Sequence, residues 1–100
     1  MAHLFSPHFL RSLRNDVPID RLIADVLDIP HKHSEGYFRF LCPLCSEFNS
    51  AVNQNTNLAR CFRCKKNFNT FDIVMSDSNS SFLDAAYFLK SLLPRFRGFT

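Results

Sequence analysis

Long runs of apolar residues are absent from this sequence, and their absence excludes two classes of protein. No run is long enough to span a membrane, and the N-terminal segment has scattered polar residues where a signal peptide would have an apolar stretch. We therefore expect a cytoplasmic protein with no membrane partner. Thiols stay reduced in that compartment, so paired cysteines are expected to bind metal rather than to form disulfides.

Acidic clusters are absent as well, which argues against catalysis within this chain. The nine Asp and Glu residues form no group that would hold the paired magnesium ions of polymerase chemistry. All four cysteines, the strongest candidate nucleophiles, fall in a metal-binding pattern. We expect neither a catalytic site nor a small-molecule substrate in these 100 residues.

The chain is short, and its length limits the number of domains. One hundred residues make one domain with little room for a second core, and a domain of this size gains stability from a bound metal. The formal net charge is +3, but one zinc ion bound by four thiolates would lower it to about +1. Net charge is therefore weak support for a nucleic-acid partner, and the local distribution of charge is more informative.

The cysteine pattern is the strongest signal in the sequence. Two Cys-x-x-Cys pairs are separated by fifteen residues, which is the spacing of a zinc ribbon. Four thiolates complete a tetrahedron around one zinc ion and leave no open position, so the predicted zinc site is structural. The predicted ligands are Cys42, Cys45, Cys61 and Cys64.

Two other uses of these cysteines stay open at this point. Disulfides or redox dithiols are disfavoured by the lack of a secretory signal, whereas a rubredoxin-like iron site also takes four sulfur ligands. Rubredoxins have Gly after each pair, and this chain has Ser46 and Lys65 there, so zinc is preferred. His31 and His33 are interpreted as surface groups, because four cysteines already complete the coordination of the metal.

Hydrophobic periodicity and turn signals predict the secondary structure. Apolar residues at helical spacing predict helices over 4–15, 18–28, 69–75 and 82–93, with N-caps at Ser6, Asn69 and Ser81. Strands are predicted at 37–41, 50–53 and 58–61. The predicted turns and breaks are 31–36, 53–57, 76–80 and Pro94.

The predicted fold is α+β. A zinc ribbon, meaning a short antiparallel β-sheet with two Cys knuckles, is flanked by two N-terminal and two C-terminal helices. Residues 1–100 are expected to form a single domain. Its parts are a helical N-terminal part (4–30), the zinc ribbon (37–69), the C-terminal helices (70–93) and a loose tail (94–100).

The order of these segments resembles that of a known family. Two segments resemble the zinc-binding domain at the N-terminus of bacterial and phage-type DNA primases. The first is the motif Cys42-Pro43-Leu44-Cys45 after a strand. The second is Cys61-Phe62-Arg63-Cys64 before the helix Phe71-Asp72-Ile73-Val74-Met75. Three departures indicate a divergent member, from a phage, plasmid or mobile element. The loop between the two cysteine pairs is slightly shorter than is usual in that family. Cys45 stands where that family usually has His, and Lys65–Asn69 replaces its Gly-rich segment.

The resemblance implies a role in primer synthesis during DNA replication. The domain is expected to contact single-stranded template DNA, while polymerase chemistry belongs to a separate domain of the primase. Cations beside exposed rings suit single strands, because charge holds the backbone and rings stack on bases. The candidate contacts are Lys32, Tyr37, Arg39, Arg60, Phe62, Arg63, Lys65 and Lys66.

A protein-interaction module is the alternative function. The apolar helix predicted over 82–93 would dock a primase catalytic domain, a helicase, a polymerase or a second copy of this chain. Binding to single-stranded DNA that weakens with added salt would favour the first function over this one.

Overall fold

The computed structural model describes residues 5–96 and has an antiparallel sheet with two helices before it and two after it in the chain. The helices are α1 (Pro7–Asn15), α2 (Ile19–Arg21), α3 (Thr70–Ser78) and α4 (Phe82–Phe96). The strands are β1 (His31–Ser34), β2 (Tyr37–Phe40), β3 (Ser50–Asn53), β4 (Leu58–Cys61) and β5 (Lys66–Phe68). The predicted α+β class is confirmed.

The first N-terminal helix begins at its predicted cap, and the second departs from regular geometry. Ser6 caps α1, which begins at Pro7 rather than at residue 4; residue 4 lies outside the described residues. The helix α2 continues as a π-helical segment (Leu22–Val26), in which the N–H of Leu27 bonds the carbonyl of Leu22 at 2.9 Å. Apolar spacing alone does not distinguish this wider turn from an α-helical one.

The C-terminal helices are longer than the sequence predicts. Asn69 and Asp72 form the expected capping box of α3, but this helix runs through the predicted break at 76–80 as far as Ser78. It ends where Asn79 adopts a left-handed conformation with φ 54°.

The prediction that Pro94 ends the last helix is wrong. Pro94 lies in the final turn of α4, where its missing N–H removes one hydrogen bond near the end of the helix and leaves the earlier turns intact. Phe96 packs against the core, and the guanidinium of Arg21 lies 5.2 Å from its ring centroid, which favours one further turn. Residues 94–96 of the predicted tail are therefore helical, and 97–100 lie outside the described residues.

Residues 31–36, predicted as a polar turn, form an edge strand and a tight hairpin. β1 pairs with β2, and only Glu35 and Gly36 connect them, with φ 54° and 82°. Two consecutive positive φ values are typical of a type I′ turn, whose twist matches that of the flanking strands. The composition of His31–Ser34 is poor for a strand, and pairing with β2 overrides it.

The sheet is a simple meander in the order β1-β2-β3-β4-β5, with every neighbouring pair antiparallel. Alternation along each strand sends Phe38, Phe40, Val52, Ala59 and Phe68 to a buried inner face. The opposite, outer face is open to solvent. These inner-face side chains share one buried cluster with Leu13, Ile23, Ile73 and Leu89 of the helical parts.

Asn57, in the turn between β3 and β4, joins the N-terminal helices to the sheet. Its Nδ2 donates to the carbonyls of Arg14 (2.6 Å) and Val17 (2.9 Å), and its Oδ1 accepts from the N–H of Ile19 (2.9 Å). The last carbonyls of a helix and the first N–H groups of the next have no partners within those helices. One amide side chain therefore satisfies both ends of the α1–α2 connection.

Thr70, the first residue of α3, makes a similar contact from the C-terminal part of the chain. It is buried, and its Oγ1 donates to the carbonyl of Leu13 at 2.9 Å. The end of α1 is thus held both by the ribbon and by the helix that follows the ribbon.

Replacing Asn57 by Gly removes these three hydrogen bonds but keeps a residue that tolerates φ 56°. The zinc-loaded protein should lose about 2 kcal/mol of unfolding free energy, because partly buried backbone groups lose their partners. Urea unfolding followed by circular dichroism measures this loss. Asn55→Gly, an exposed position in the same turn, is the control, and an equal loss in both variants would contradict the role of Asn57.

Candidate metal centre

The four cysteines follow two strands that point in the same direction. β2 and β4 both pair with β3 in antiparallel fashion, so both strands end at the same edge of the sheet. Cys42 and Cys45 follow β2, Cys61 is the last residue of β4, and Cys64 precedes β5. Cys42 and Cys61 are buried, and the other two are half-buried.

The sulfur atoms have the spacing of a tetrahedral metal site. All four Sγ atoms lie within 4.8 Å of one another. Cys42 Sγ and Cys64 Sγ are 3.9 Å apart, and Cys45 Sγ and Cys61 Sγ are 3.6 Å apart. A Zn–S bond of about 2.3 Å gives a tetrahedral edge of about 3.8 Å. The donor set and its geometry therefore fit one zinc ion.

Backbone N–H groups support the sulfurs in both knuckles. The N–H of Leu44 points at Cys42 Sγ (3.4 Å), and the N–H of Cys64 points at Cys61 Sγ (3.3 Å). Such donors stabilise thiolates, so each knuckle favours the form of cysteine that binds metal.

The residue after each cysteine pair adopts the left-handed conformation. Ser46 has φ 60° and Lys65 has φ 58°. Glycine adopts these angles without strain, whereas other residues pay of order 1 kcal/mol. The turn after each knuckle thus uses a conformation that glycine would adopt without strain, and the absence of glycine costs stability without preventing the turn.

The thiols differ in their protonation. Burial opposes ionisation of Cys61, but the Cys64 N–H, the nearby Ser50 hydroxyl and the neighbouring thiols lower the pKa of Cys61 to about 6. Burial and the neighbouring thiols raise the pKa of Cys64 to about 12, and burial also raises the pKa of Cys45. The thiol of Cys61 is therefore ionised at neutral pH and ready to bind a cation, whereas Cys45 and Cys64 must release protons before they bind.

A closed four-thiolate site on an antiparallel sheet, with helices before and after it in the chain, defines a zinc-ribbon protein whose metal is structural. The family model of the CHC2 zinc finger, the DnaG zinc ribbon, matches residues 5–94. The chain belongs to this family, which points to the zinc-binding domain of a DnaG-type primase. No curated protein sequence matches the chain significantly.

The candidate nucleic-acid contacts fall into two groups. Lys32, Arg39 and Arg60 lie in one register row across the outer face of the sheet, with exposed Tyr37 and Phe62 beside them. The other cations, Arg63, Lys65 and Lys66, are exposed on the second knuckle and the start of β5.

The structure adds Phe48 and Asn67 to the first group. The Lys32 ammonium lies 5.2 Å from the ring centroid of Phe48, and Arg60 donates to Asn67 Oδ1 at 3.1 Å. Phe48 lies in a loop, and Asn67 is on a strand that composition does not predict, so neither had a sequence signal. His31 and His33 are not part of the sulfur cluster; both rings pack on Phe38. No helix within residues 5–96 is long and apolar enough to cross a membrane.

Replacement of Cys61 by Ser should abolish zinc binding and cooperative unfolding. The substitution removes one of the four thiolate ligands, and the ribbon depends on the bound metal for its folding. Metal content measured by atomic emission, together with thermal unfolding, tests this. Leu44→Ala changes an exposed residue between two ligands and should keep the metal. A Cys61→Ser protein that retains zinc and unfolds cooperatively would refute the four-cysteine site.

Zinc affinity should rise with pH, because Cys45 and Cys64, whose pKa values are raised, must lose protons before they bind. Calorimetric titration of the metal-free protein at about pH 7, in two buffers of different ionisation enthalpy, measures the protons released. Identical heats in both buffers would contradict this assignment.

Proposed function

We propose that this domain binds single-stranded DNA across the outer face of its sheet and serves as the template-recognition part of a primase during primer synthesis in the cytoplasm. The observation that carries the proposal is a line of cations and rings on that face. Membership of the CHC2 zinc finger family supports it. Polymerase chemistry would belong to a separate catalytic domain.

The line of cations follows one register row through all five strands. In order across the sheet, the row is Lys32, Arg39, Ala51, Arg60 and Asn67. Directly opposed residues share a face of an antiparallel sheet, and neighbouring strands lie about 4.8 Å apart. Three cations therefore line a path perpendicular to the strands. We name Lys32, Arg39 and Arg60 the cation row.

Each member of the cation row is paired with an aromatic ring. The guanidinium of Arg39 lies 5.6 Å from the ring centroid of Tyr37, and that of Arg60 lies 5.9 Å from the ring centroid of Phe62. Tyr37 is 55% exposed and Phe62 is 57% exposed. Rings that remain open to solvent beside cations are suited to stack on unpaired bases while the charges hold the phosphates.

The positive charges of this face are weakly neutralised. Arg39 lies 3.7 Å from Glu35, whose side chain is 82% exposed, and a surface pair of this kind contributes little. Ala51 lies between Arg39 and Arg60 in this row, and its methyl side chain carries no charge that would neutralise them. A groove of about 720 Å³ runs along this part of the sheet and includes Ala51, Arg60 and both exposed rings in its lining.

The alternative function, a protein-interaction module, is supported by the exposed apolar side chains of α4. Phe82, Leu83, Tyr87 and Phe88 of α4 are each at least 36% exposed. A primase catalytic domain, a helicase, a polymerase or a second copy of the chain would cover such apolar side chains. This function does not compete with DNA binding for the same residues.

Fluorescence anisotropy with a labelled oligothymidine tests the proposal. Combined Arg39→Ala and Arg60→Ala substitutions should weaken binding about tenfold or more, and should reduce the slope of log affinity against log salt by about 1.4, because two phosphate contacts are lost. The control is Arg11→Ala with Lys90→Ala, which removes the same charge from exposed helical positions.

Two further outcomes decide where the DNA lies. The triple variant Arg63→Ala, Lys65→Ala and Lys66→Ala should weaken binding without unfolding the protein if the second knuckle also contacts the strand. Equal losses in the cation-row variant and its helical control would refute the outer face as the binding surface. An unaltered protein that fails to bind at low salt would refute the proposed function.

A further inference from the structure

Ser50, the first residue of β3, carries a hydroxyl that the described structure leaves without a partner. The residue is 0% exposed, and its Oγ makes no hydrogen bond of ordinary geometry to any residue within 5–96. The other buried polar residue, Thr70, donates its hydroxyl to the carbonyl of Leu13. A buried polar group without a partner is unfavourable, so the environment of Ser50 should supply an acceptor.

The nearest such acceptor by register is the metal site. Ser50 stands directly opposite Cys61 in the β3–β4 ladder, and both residues are fully buried on the inner face. Side chains of directly opposed residues have Cβ atoms about 5 Å apart, which brings a serine oxygen close to a cysteine sulfur.

We propose that Ser50 is a positioning residue of the zinc site, whose hydroxyl donates a hydrogen bond to the zinc-bound sulfur of Cys61. A neutral thiol is a weak acceptor, whereas a thiolate carries negative charge and accepts more strongly. The hydroxyl hydrogen rotates about the C–O bond, so Ser50 can direct it at the Cys61 sulfur when that sulfur is ionised and bound to metal.

Cys61 would then differ from the other ligands. Its sulfur already faces the N–H of Cys64 at 3.3 Å, and the Ser50 hydroxyl adds a second donor from another strand. Two donors reduce the electron density on that sulfur and fix its direction. Partners outside the ligand shell are known to set the affinity of metal sites in this way.

Substitution of Ser50 by Ala separates this role from simple packing. If the hydroxyl bonds the zinc-bound sulfur, its removal should weaken zinc affinity about tenfold, measured by competition with a chromophoric chelator. If the hydroxyl is only a buried group without a partner, its removal should stabilise the zinc-loaded protein and leave the affinity unchanged. The second result would overturn the proposal.

Cobalt substitution provides a readout that packing alone does not change. Loss of a hydrogen bond makes the sulfur a better electron donor, so the sulfur-to-cobalt charge-transfer band of Ser50→Ala should shift to longer wavelength. Thr70→Val removes a buried hydroxyl that bonds the carbonyl of Leu13 rather than a cysteine, and it should lower stability without moving the band.

A variant that keeps the hydroxyl covers the case in which Ser50→Ala does not fold. Ser50→Thr should then retain a band close to that of the unaltered protein. An unshifted band in Ser50→Ala, or a shifted band in a folded Ser50→Thr protein, would overturn the proposal.

Discussion

Four sulfur atoms must meet within 4.8 Å, and the rest of the fold depends on this requirement. The two ligand pairs are separated by fifteen residues, which leave and return as β3 and β4. The sulfurs converge because β2 and β4 end at the same edge of the sheet. One metal ion therefore fixes the hairpin between the pairs, the direction of the strands and the start of β5. A domain of 100 residues has a small core, and such a cross-link supplies stability that burial alone does not.

The helices are tied to this metal-closed ribbon by polar contacts as well as by the shared core. Asn57 at the tip of the β3–β4 hairpin satisfies backbone groups on both sides of the α1–α2 connection. Thr70 holds the carbonyl of Leu13 from the beginning of α3. The end of α1 is thus fixed by elements before and after the second knuckle. The orientation of the helices and the closure of the metal site should consequently be coupled.

The sequence is most informative where chemistry depends on a few residue types at fixed spacing. Two Cys-x-x-Cys pairs predicted the four-sulfur cluster, and Ser6 and Asn69 predicted the helix starts, because ligands and caps need particular atoms. Edge strand β1 was missed because its four polar residues form a strand only by pairing with β2. The extra turn past Pro94 depends on the packing of Phe96, which local pattern does not contain.

The cation row shows the same limit in the functional surface. All three cations were predicted as contacts from the sequence. Their alignment in one row depends on the register in which the strands pair, which the sequence does not show directly. Ser50 was not selected from sequence at all, since a serine on a strand has no distinguishing pattern. Its importance follows from complete burial and from its place opposite Cys61.

The alternation of side chains along β3 and β4 places a condition on how this sequence can change length. Within β4, Cys61 points to the metal on the inner face and its neighbour Arg60 points outward, so the two surfaces are encoded by odd and even positions of one strand. An insertion of one residue inside a strand would exchange these positions and turn Arg60 inward. Changes of length are compatible with both surfaces in the segment 46–49, which belongs to no ladder. The alternation of positions within each strand, rather than the number of residues between the two cysteine pairs, therefore keeps the metal on one side of the sheet and the charge on the other.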